Sequence, residues 1–157
     1  MSMVDASNVV PERSAWRAIM ELHAALLPLY ERAMIAEFAM PLTWYDVLHH
    51  LDEAGEGGLR MNELAAALTL SKSGLTTLVD RIEESGLISR RDDPADRRAT
   101  VVALTASGRR IVRDAIRAHK ELVRKHFLDR MSPDEQLTVS RILGRVLDEI
   151  RSDQAAS

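Results

Sequence analysis

Apolar residues near the start of the chain recur at the spacing of an amphipathic helix. From about Glu12 to about Phe38 they form two neighbouring stripes that step by four and three residues. The first stripe is Ala15, Ile19, Leu22, Leu26, Leu29 and Ala33, and the second is Trp16, Met20, His23, Leu27, Tyr30 and Met34. One stripe is enough to dock a helix on its own domain. Two stripes predict burial against a second surface, most simply a partner subunit; the alternative is the central helix of a monomer.

The C-terminal third predicts two further long amphipathic helices. Thr105 is the expected N-cap of the first, which runs to about Arg130. Ser132 and Glu135 have the spacing of a capping box, with Pro133 at the first helical position, so the second helix starts there.

Shorter elements fill the middle of the chain. A break at Pro41 is followed by a helix for which Thr43 is the expected N-cap. After a glycine-rich loop, a helix over about Asn62 to Leu68 and a second one beginning at Ser71 are joined by a tight turn. The apolar stripe of that second helix is Leu75, Leu78, Val79 and Ile82. Its opposite face carries Lys72, Ser73, Thr76, Thr77 and Arg81. Hydroxyls and cations on such a face can bond base edges and phosphates in a DNA major groove.

A charged hairpin follows the second short helix, which Gly86 is expected to end. Residues 87–91 and 99–104 have β-strand character, and residues 92–98 between them are rich in turn-forming types. Residues 59–60 are a candidate third strand.

The charged side chains of this hairpin have alternative roles. Arg97 and Arg98 at its tip can reach an adjacent minor groove. Asp96 either caps the turn or holds one of these Arg side chains toward DNA. Arg90 is either solvated or in contact with a phosphate, and Asp80 is expected to orient a neighbouring Arg.

Two segments carry a specific family resemblance. They are NELAAALTLSKSGLTTLVDRIEESGLISR and DPADRRATVVALT, and they resemble the winged helix-turn-helix of the MarR family of bacterial transcriptional regulators. The Asp-x-Arg and Leu-Thr signature of that family's wing is matched by Asp96, Arg98, Leu104 and Thr105. The resemblance extends from about Arg13 to about Arg151.

This resemblance implies a mainly α fold with a small β-hairpin wing (α+β). The winged helix-turn-helix lobe covers residues 40–105, and residues 12–38 and 106–151 form a helical dimerisation region. Residues 1–11 are expected to be a disordered arm. The implied function is a homodimeric, ligand-responsive repressor that binds a pseudo-palindromic operator in double-stranded DNA. The expected DNA contacts are Ser71, Lys72, Ser73, Thr76, Thr77, Arg81, Arg90, Asp96, Arg97 and Arg98.

Charge and composition qualify this interpretation. The net charge of −3 argues against DNA, but residues 60–110 contain nine Lys and Arg against seven Asp and Glu, a local charge of +2. Without Cys the chain has no thiol sensor or disulfide. No phosphate loop or nucleophile motif indicates an enzyme, so we expect no catalytic residue. No membrane-spanning run or signal peptide is apparent, and a cytoplasmic location is expected.

Most of the aromatic rings lie in the first two helices. In the resembled family, the crevice beside these helices binds aromatic or phenolic ligands. The expected ligand-binding residues are Trp16, His23, Tyr30, Trp44, Tyr45 and His49, although core packing explains each ring equally well.

The five His residues are His23, His49, His50, His119 and His126. None has a tight zinc-ligand spacing, so no metal site and no cofactor beyond the effector is expected. A zinc-responsive regulator remains an alternative, because some members of the resembled family sense zinc. Another alternative is a helical dimerisation or partner-binding protein with vestigial DNA binding.

Overall fold

The computed structural model describes residues 12–68, 70–93, 95–96 and 98–156. Residues 1–11, expected to be an arm, and Arg97 lie outside this part, as does the side chain of Lys72. The helices are α1 (Glu12–Phe38), α2 (Leu42–Ala54), α3 (Met61–Leu68), α4 (Lys72–Glu84), α5 (Ala106–His126) and α6 (Pro133–Ala156). The strands are β1 (Leu59–Arg60), β2 (Ile88–Asp92) and β3 (Thr100–Leu104), and short 3₁₀ turns occupy Gly55–Gly57 and Leu128–Arg130.

The strands of the described residues form one antiparallel sheet in the order β1-β3-β2. Ile88 pairs with Leu104 and Asp92 with Thr100, so β2 and β3 make the expected hairpin. Leu59 pairs with Val102, which confirms the third strand. The mostly helical architecture with this small sheet confirms the predicted α+β winged helix-turn-helix fold.

The chain divides into two compact units between Arg117 and Ala118. The first unit has a core to which α2, α3, α4, the sheet and the first part of α5 contribute. Its fully buried side chains include Leu48, Leu51, Leu64, Val79, Ile82, Val102 and Val112. Among the described side chains of α1, the buried ones are Tyr30 and Met34 in its C-terminal half, while Trp16, Ile19, Met20 and Leu22 are exposed.

The second unit contains the end of α5, the 3₁₀ turn and α6. Ser132 N donates to Glu135 Oε2 at 2.8 Å and Glu135 N donates to Ser132 Oγ at 3.3 Å, which confirms the capping box. Several apolar side chains of α6 are exposed in the single chain: Leu137, Ile142, Leu143, Val146, Leu147 and Ile150.

Two sequence-based helix boundaries were wrong. Thr43 does not cap α2, which begins at Leu42 with Pro41 at the N-cap position. The Leu42 N–H instead donates to Glu31 Oε2 of α1 at 2.8 Å, a partner that local sequence cannot reveal. The first C-terminal helix ends at His126 rather than near Arg130, because the chain tightens into the 3₁₀ turn. Its N-cap was correct, since Gly108 N donates to Thr105 Oγ1 at 3.0 Å.

Candidate nucleic-acid interface

Helix α4 presents one apolar and one polar face, as its sequence requires. Leu75, Val79 and Ile82 are at most 1% exposed and anchor the helix in the core. Ser71 is the N-cap, and its Oγ accepts a hydrogen bond from Gly74 N at 3.2 Å. The predicted cap and three of the four predicted stripe residues are therefore confirmed, while Leu78 is half-buried. Burying the stripe turns the opposite face outward.

The outward face of α4 is made of small polar groups. Ser73, Thr76, Thr77 and Arg81 are exposed, as is Ser71 at the cap. The Ser71 and Ser73 hydroxyls lie 3.4 Å apart, and Thr77 Oγ1 donates to Ser73 O at 3.3 Å. No large apolar side chain interrupts this face among the described residues, so a polar partner can approach the backbone closely.

Arg90 on β2 is bound by two carboxylates of α4. Its Nη1 donates to Glu83 Oε2 and its Nη2 to Asp80 Oδ1, both at 2.6 Å. Its backbone N–H also donates to Glu83 Oε1 at 2.8 Å. Asp80 thus orients an Arg, as expected, and Arg90 ties the hairpin to α4. A phosphate contact for Arg90 stays a prediction. Both of its terminal nitrogens already donate hydrogen bonds to carboxylates of α4.

The wing turn is closed by Asp96. Its Oδ1 accepts from Arg98 N at 3.0 Å, and its carbonyl accepts from Ala99 N at 2.8 Å. This is the capping role, the first of the two that the sequence allowed. The role that the family resemblance favours, in which Asp96 holds the Arg98 side chain toward the minor groove, stays a prediction. The Arg98 side chain is exposed at the tip.

An ion pair that sequence reasoning missed joins the wing to Arg60, the last residue of β1 before α3. Asp93 is 7% exposed and is the only buried charged residue of the described chain. Its Oδ2 accepts from Arg60 Nε at 2.6 Å, and its Oδ1 accepts from Ala95 N at 2.7 Å. The Ala95 N–H, followed by the Arg60 guanidinium, lowers the pKa of the Asp93 carboxyl. Asp93 therefore carries a charge throughout the neutral range.

An open cleft of about 450 Å³ separates α4 from the wing. It brings together three of the predicted contact residues, Thr76, Asp96 and Arg98, with Arg60. The other residues that line it are Met61, Asn62, Leu75, Ala99 and Thr100. Polar groups from α3, α4 and the wing therefore share one concave surface.

The predicted ligand-binding rings differ widely in how exposed they are. Tyr45 is 5% exposed and stacks on His49 with ring centroids 5.6 Å apart, and Tyr30 is also buried. Trp16 is 66% exposed and His23 is exposed, while Trp44 is half-buried. Burial, with smaller contributions from Asp46 and Glu53, raises the pKa of Tyr45 to about 12, so its hydroxyl stays neutral. A ligand site at these rings stays a prediction.

A separate crevice between α1 and α2 has a volume of about 290 Å³. Its lining residues are Leu27, Pro28, Glu31, Leu42, Thr43 and Asp46, none of which was predicted to bind a ligand.

Within the described part of the chain, no three His, Asp or Glu side chains are grouped to hold a metal ion. His49 Nδ1 is buried without a hydrogen-bond partner. None of the described helices is long and apolar enough to cross a membrane.

Comparison with known proteins places the interface in a family. The MarR family model matches residues 40–99, which extend from the start of α2 into the wing. The MarR family regulator Sco3205 of Streptomyces coelicolor, solved in complex with DNA, is 30% identical with a TM-score of 0.80, covering 88% of this chain and 86% of Sco3205. This chain belongs to the MarR family of transcriptional regulators.

Two further relatives extend the comparison. The uncharacterized HTH-type transcriptional regulator YsmB of Bacillus subtilis is 31% identical over 104 residues, 66% of this chain and 70% of YsmB. CouR of Rhodococcus jostii, solved with p-coumaroyl-CoA bound, is 28% identical with a TM-score of 0.74, covering 87% of this chain and 91% of CouR. YsmB is named as a transcriptional regulator, and the CouR structure holds an organic ligand.

Proposed function

We propose that this protein is a ligand-responsive transcriptional repressor that binds a pseudo-palindromic operator as a homodimer. The observation that carries the proposal is the exposed polar face of α4 beside the cleft and the wing. In a winged helix-turn-helix, such a helix enters the major groove and the wing reaches the flanking minor groove. The DNA complex of Sco3205 supports the same use of this fold here.

The proposed contacts divide by chemistry. Hydroxyls of Ser73, Thr76 and Thr77 are suited to base edges, where they donate or accept hydrogen bonds. Arg81 and Lys72 are suited to phosphates, which position the protein and make affinity dependent on salt. Arg98, with Arg97, supplies the cation for the minor groove.

Homodimerisation is proposed from the apolar side chains that a single chain leaves exposed. Trp16 is 66% exposed on α1, and Leu137 is 70% exposed on α6. Apolar faces of this extent on long helices are a feature of subunit interfaces. A two-fold dimer presents two recognition helices to half-sites about 34 Å apart, one turn of B-DNA.

The proposed regulation is a shift between two conformations of the dimer. A ligand at the rings of α1 and α2, such as an aromatic or phenolic compound, would favour a spacing of the two α4 helices that does not fit the operator. It must bind that form more tightly than the DNA-bound form, since equal affinity shifts nothing. The ligand in CouR supports this proposal. We propose that the protein acts by binding alone, without catalysis, in the cytoplasm.

Selection from a pool of random duplexes tests this function. The purified protein is incubated with the pool, and bound DNA is amplified and sequenced over several rounds. The proposal predicts enrichment of an inverted repeat whose half-sites lie one helical turn apart. A pool that stays random would contradict sequence-specific binding and favour a partner-binding protein with vestigial DNA binding.

A further inference from the structure

We propose that Arg60 contacts a DNA backbone phosphate and that Asp93 is the positioning residue that aims it. The inference rests on the proposed function and adds a contact outside α4 and the wing tip. In this proposal, the cleft between α4 and the wing is the binding site for one sugar-phosphate strand of the DNA.

The location of the cleft is the first argument. With α4 in a major groove and the wing in the adjacent minor groove, the strand that separates these grooves has to pass between them. The space between them is the cleft of about 450 Å³, and Arg60 is part of its wall. A polyanion in this position calls for a cation beside it. Arg98 lies at the tip side of the same cleft.

The orientation of the Arg60 guanidinium is the second argument. Only Nε is used in the bond to Asp93, and no acceptor among the described residues bonds the two terminal nitrogens. Glu63, the nearest carboxylate along the chain, accepts from the backbone N–H of Arg60 at 2.7 Å. The Arg60 side chain is 38% exposed. A planar guanidinium fixed through Nε presents its remaining donors as a fork that suits a phosphate.

The support behind Asp93 is the third argument. Its Oδ1 is held by Ala95 N at 2.7 Å, and its own N–H donates to Ala99 O at 3.0 Å. The carboxylate is therefore fixed by the turn of the wing, independently of Arg60. A buried carboxylate that is anchored on one side and offers its other oxygen to a partly exposed Arg is arranged to orient that side chain.

The salt dependence of DNA binding tests the contact, because the slope of log K against log[salt] reports the number of phosphates that the protein neutralises. Binding of a labelled duplex carrying the selected operator is measured at four or more salt concentrations for wild type, Arg60→Gln and Arg113→Gln. Arg113 is exposed on α5, so its variant loses the same charge away from the cleft. Arg60→Gln should reduce the magnitude of the slope of log K against log[salt] by about 0.9 per protomer. Arg113→Gln should leave the slope unchanged.

Asp93→Asn tests the positioning role. By charge alone, removing an anion near DNA would tighten binding. If Asp93 orients the Arg60 guanidinium toward a phosphate, its replacement should instead weaken binding. We expect weaker binding, and we expect the double variant to bind no more weakly than Arg60→Gln alone, because Asp93 acts through Arg60. Arg60→Lys keeps the charge, so it should retain the wild-type slope, with lower affinity because Lys lacks the planar fork. Thermal melting of each variant comes first, and if Arg60→Gln melts early, the slopes of all variants are measured at a temperature at which it is folded.

The outcomes separate this inference from the proposed function. A wild-type slope for Arg60→Gln in a protein that binds its operator would overturn the phosphate contact alone. Tighter binding by Asp93→Asn would overturn the positioning role. Failure of wild type to bind any duplex would overturn the proposed function and the contact with it.

Discussion

Arg90 of the hairpin and Glu83 of α4 are joined twice, through the guanidinium at 2.6 Å and through the Arg90 backbone N–H at 2.8 Å. The Arg90 side chain is 25% exposed, so water screens this pair less than it screens a surface ion pair. The pair fixes β2 to the C-terminal half of α4. The spacing between α4 and the wing thus depends on contacts that lie outside the outward polar face of α4.

Arg90→Gln should therefore destabilise the fold. The variant loses the guanidinium bonds to Glu83 and Asp80 and leaves both carboxylates without their cation, while the backbone bond from residue 90 to Glu83 remains. We expect the free energy of unfolding to fall by about 1 kcal/mol, since both partners are partly exposed. Urea denaturation measures this change, with Arg113→Gln as the matched control. Equal midpoints for the two variants would show that the pair contributes nothing.

Arg98→Ala should weaken operator binding without affecting the fold. Its side chain is exposed at the wing tip, and only its backbone N–H takes part in the turn, through Asp96. Loss of one minor-groove cation should cost about tenfold in affinity. Anisotropy titration measures the affinity, and thermal melting and light scattering check the fold and the oligomer. Wild-type affinity of the Arg98→Ala variant would show that the Arg98 side chain of the wing does not contribute to DNA binding.

Ile142→Glu should convert a dimer to a monomer. Ile142 is 44% exposed on α6, and a carboxylate placed in an apolar subunit interface would be buried without a partner. Light scattering should give half the mass of wild type, and operator affinity should fall with it. Thr138→Glu, at an exposed polar position of the same helix, is the control. A wild-type monomer, or an Ile142→Glu dimer, would contradict the proposed interface.

Stability should fall at alkaline pH through Tyr45. Its pKa rises from about 10 in the unfolded chain to about 12 in the fold, chiefly through burial. Between these two pH values the unfolded chain loses the Tyr45 proton while the folded chain keeps it. The contribution of Tyr45 to the free energy of unfolding is therefore complete below about pH 10, and it declines as the pH rises above that value. For a single group, this decline is at most about 1.4 kcal/mol per pH unit. Denaturation of Tyr45→Phe between pH 9 and 11 should show a shallower decline, and an equal decline would exclude Tyr45 as the cause.

Local features of the fold were within reach of the sequence. The cap at Ser71, the box of Ser132 and Glu135, and the stripe through Leu75, Val79 and Ile82 involve groups at most seven residues apart. Helical spacing alone brings such groups together, so their pattern is sufficient to predict them.

Contacts between distant segments were not predictable from local pattern. Glu31 caps α2 from eleven residues away, and Arg60 reaches Asp93 across 33 residues. The consecutive carboxylates Asp92 and Asp93 before a proline resemble a solvated turn, and only the fold shows that one of them is buried. The sequence therefore predicts the outward polar face of α4. The ion pair between Asp93 and Arg60 could be found only from the tertiary structure.

The most direct test of the central claim is a fluorescence anisotropy titration against DNA from upstream of the protein's own gene, with a scrambled duplex as control, at two salt concentrations. We expect tight binding to the upstream DNA, weak binding to the scrambled duplex, and a steep loss of affinity at the higher salt. Weak binding that is equal for both duplexes, and equal at both salt concentrations, would contradict a sequence-specific regulator.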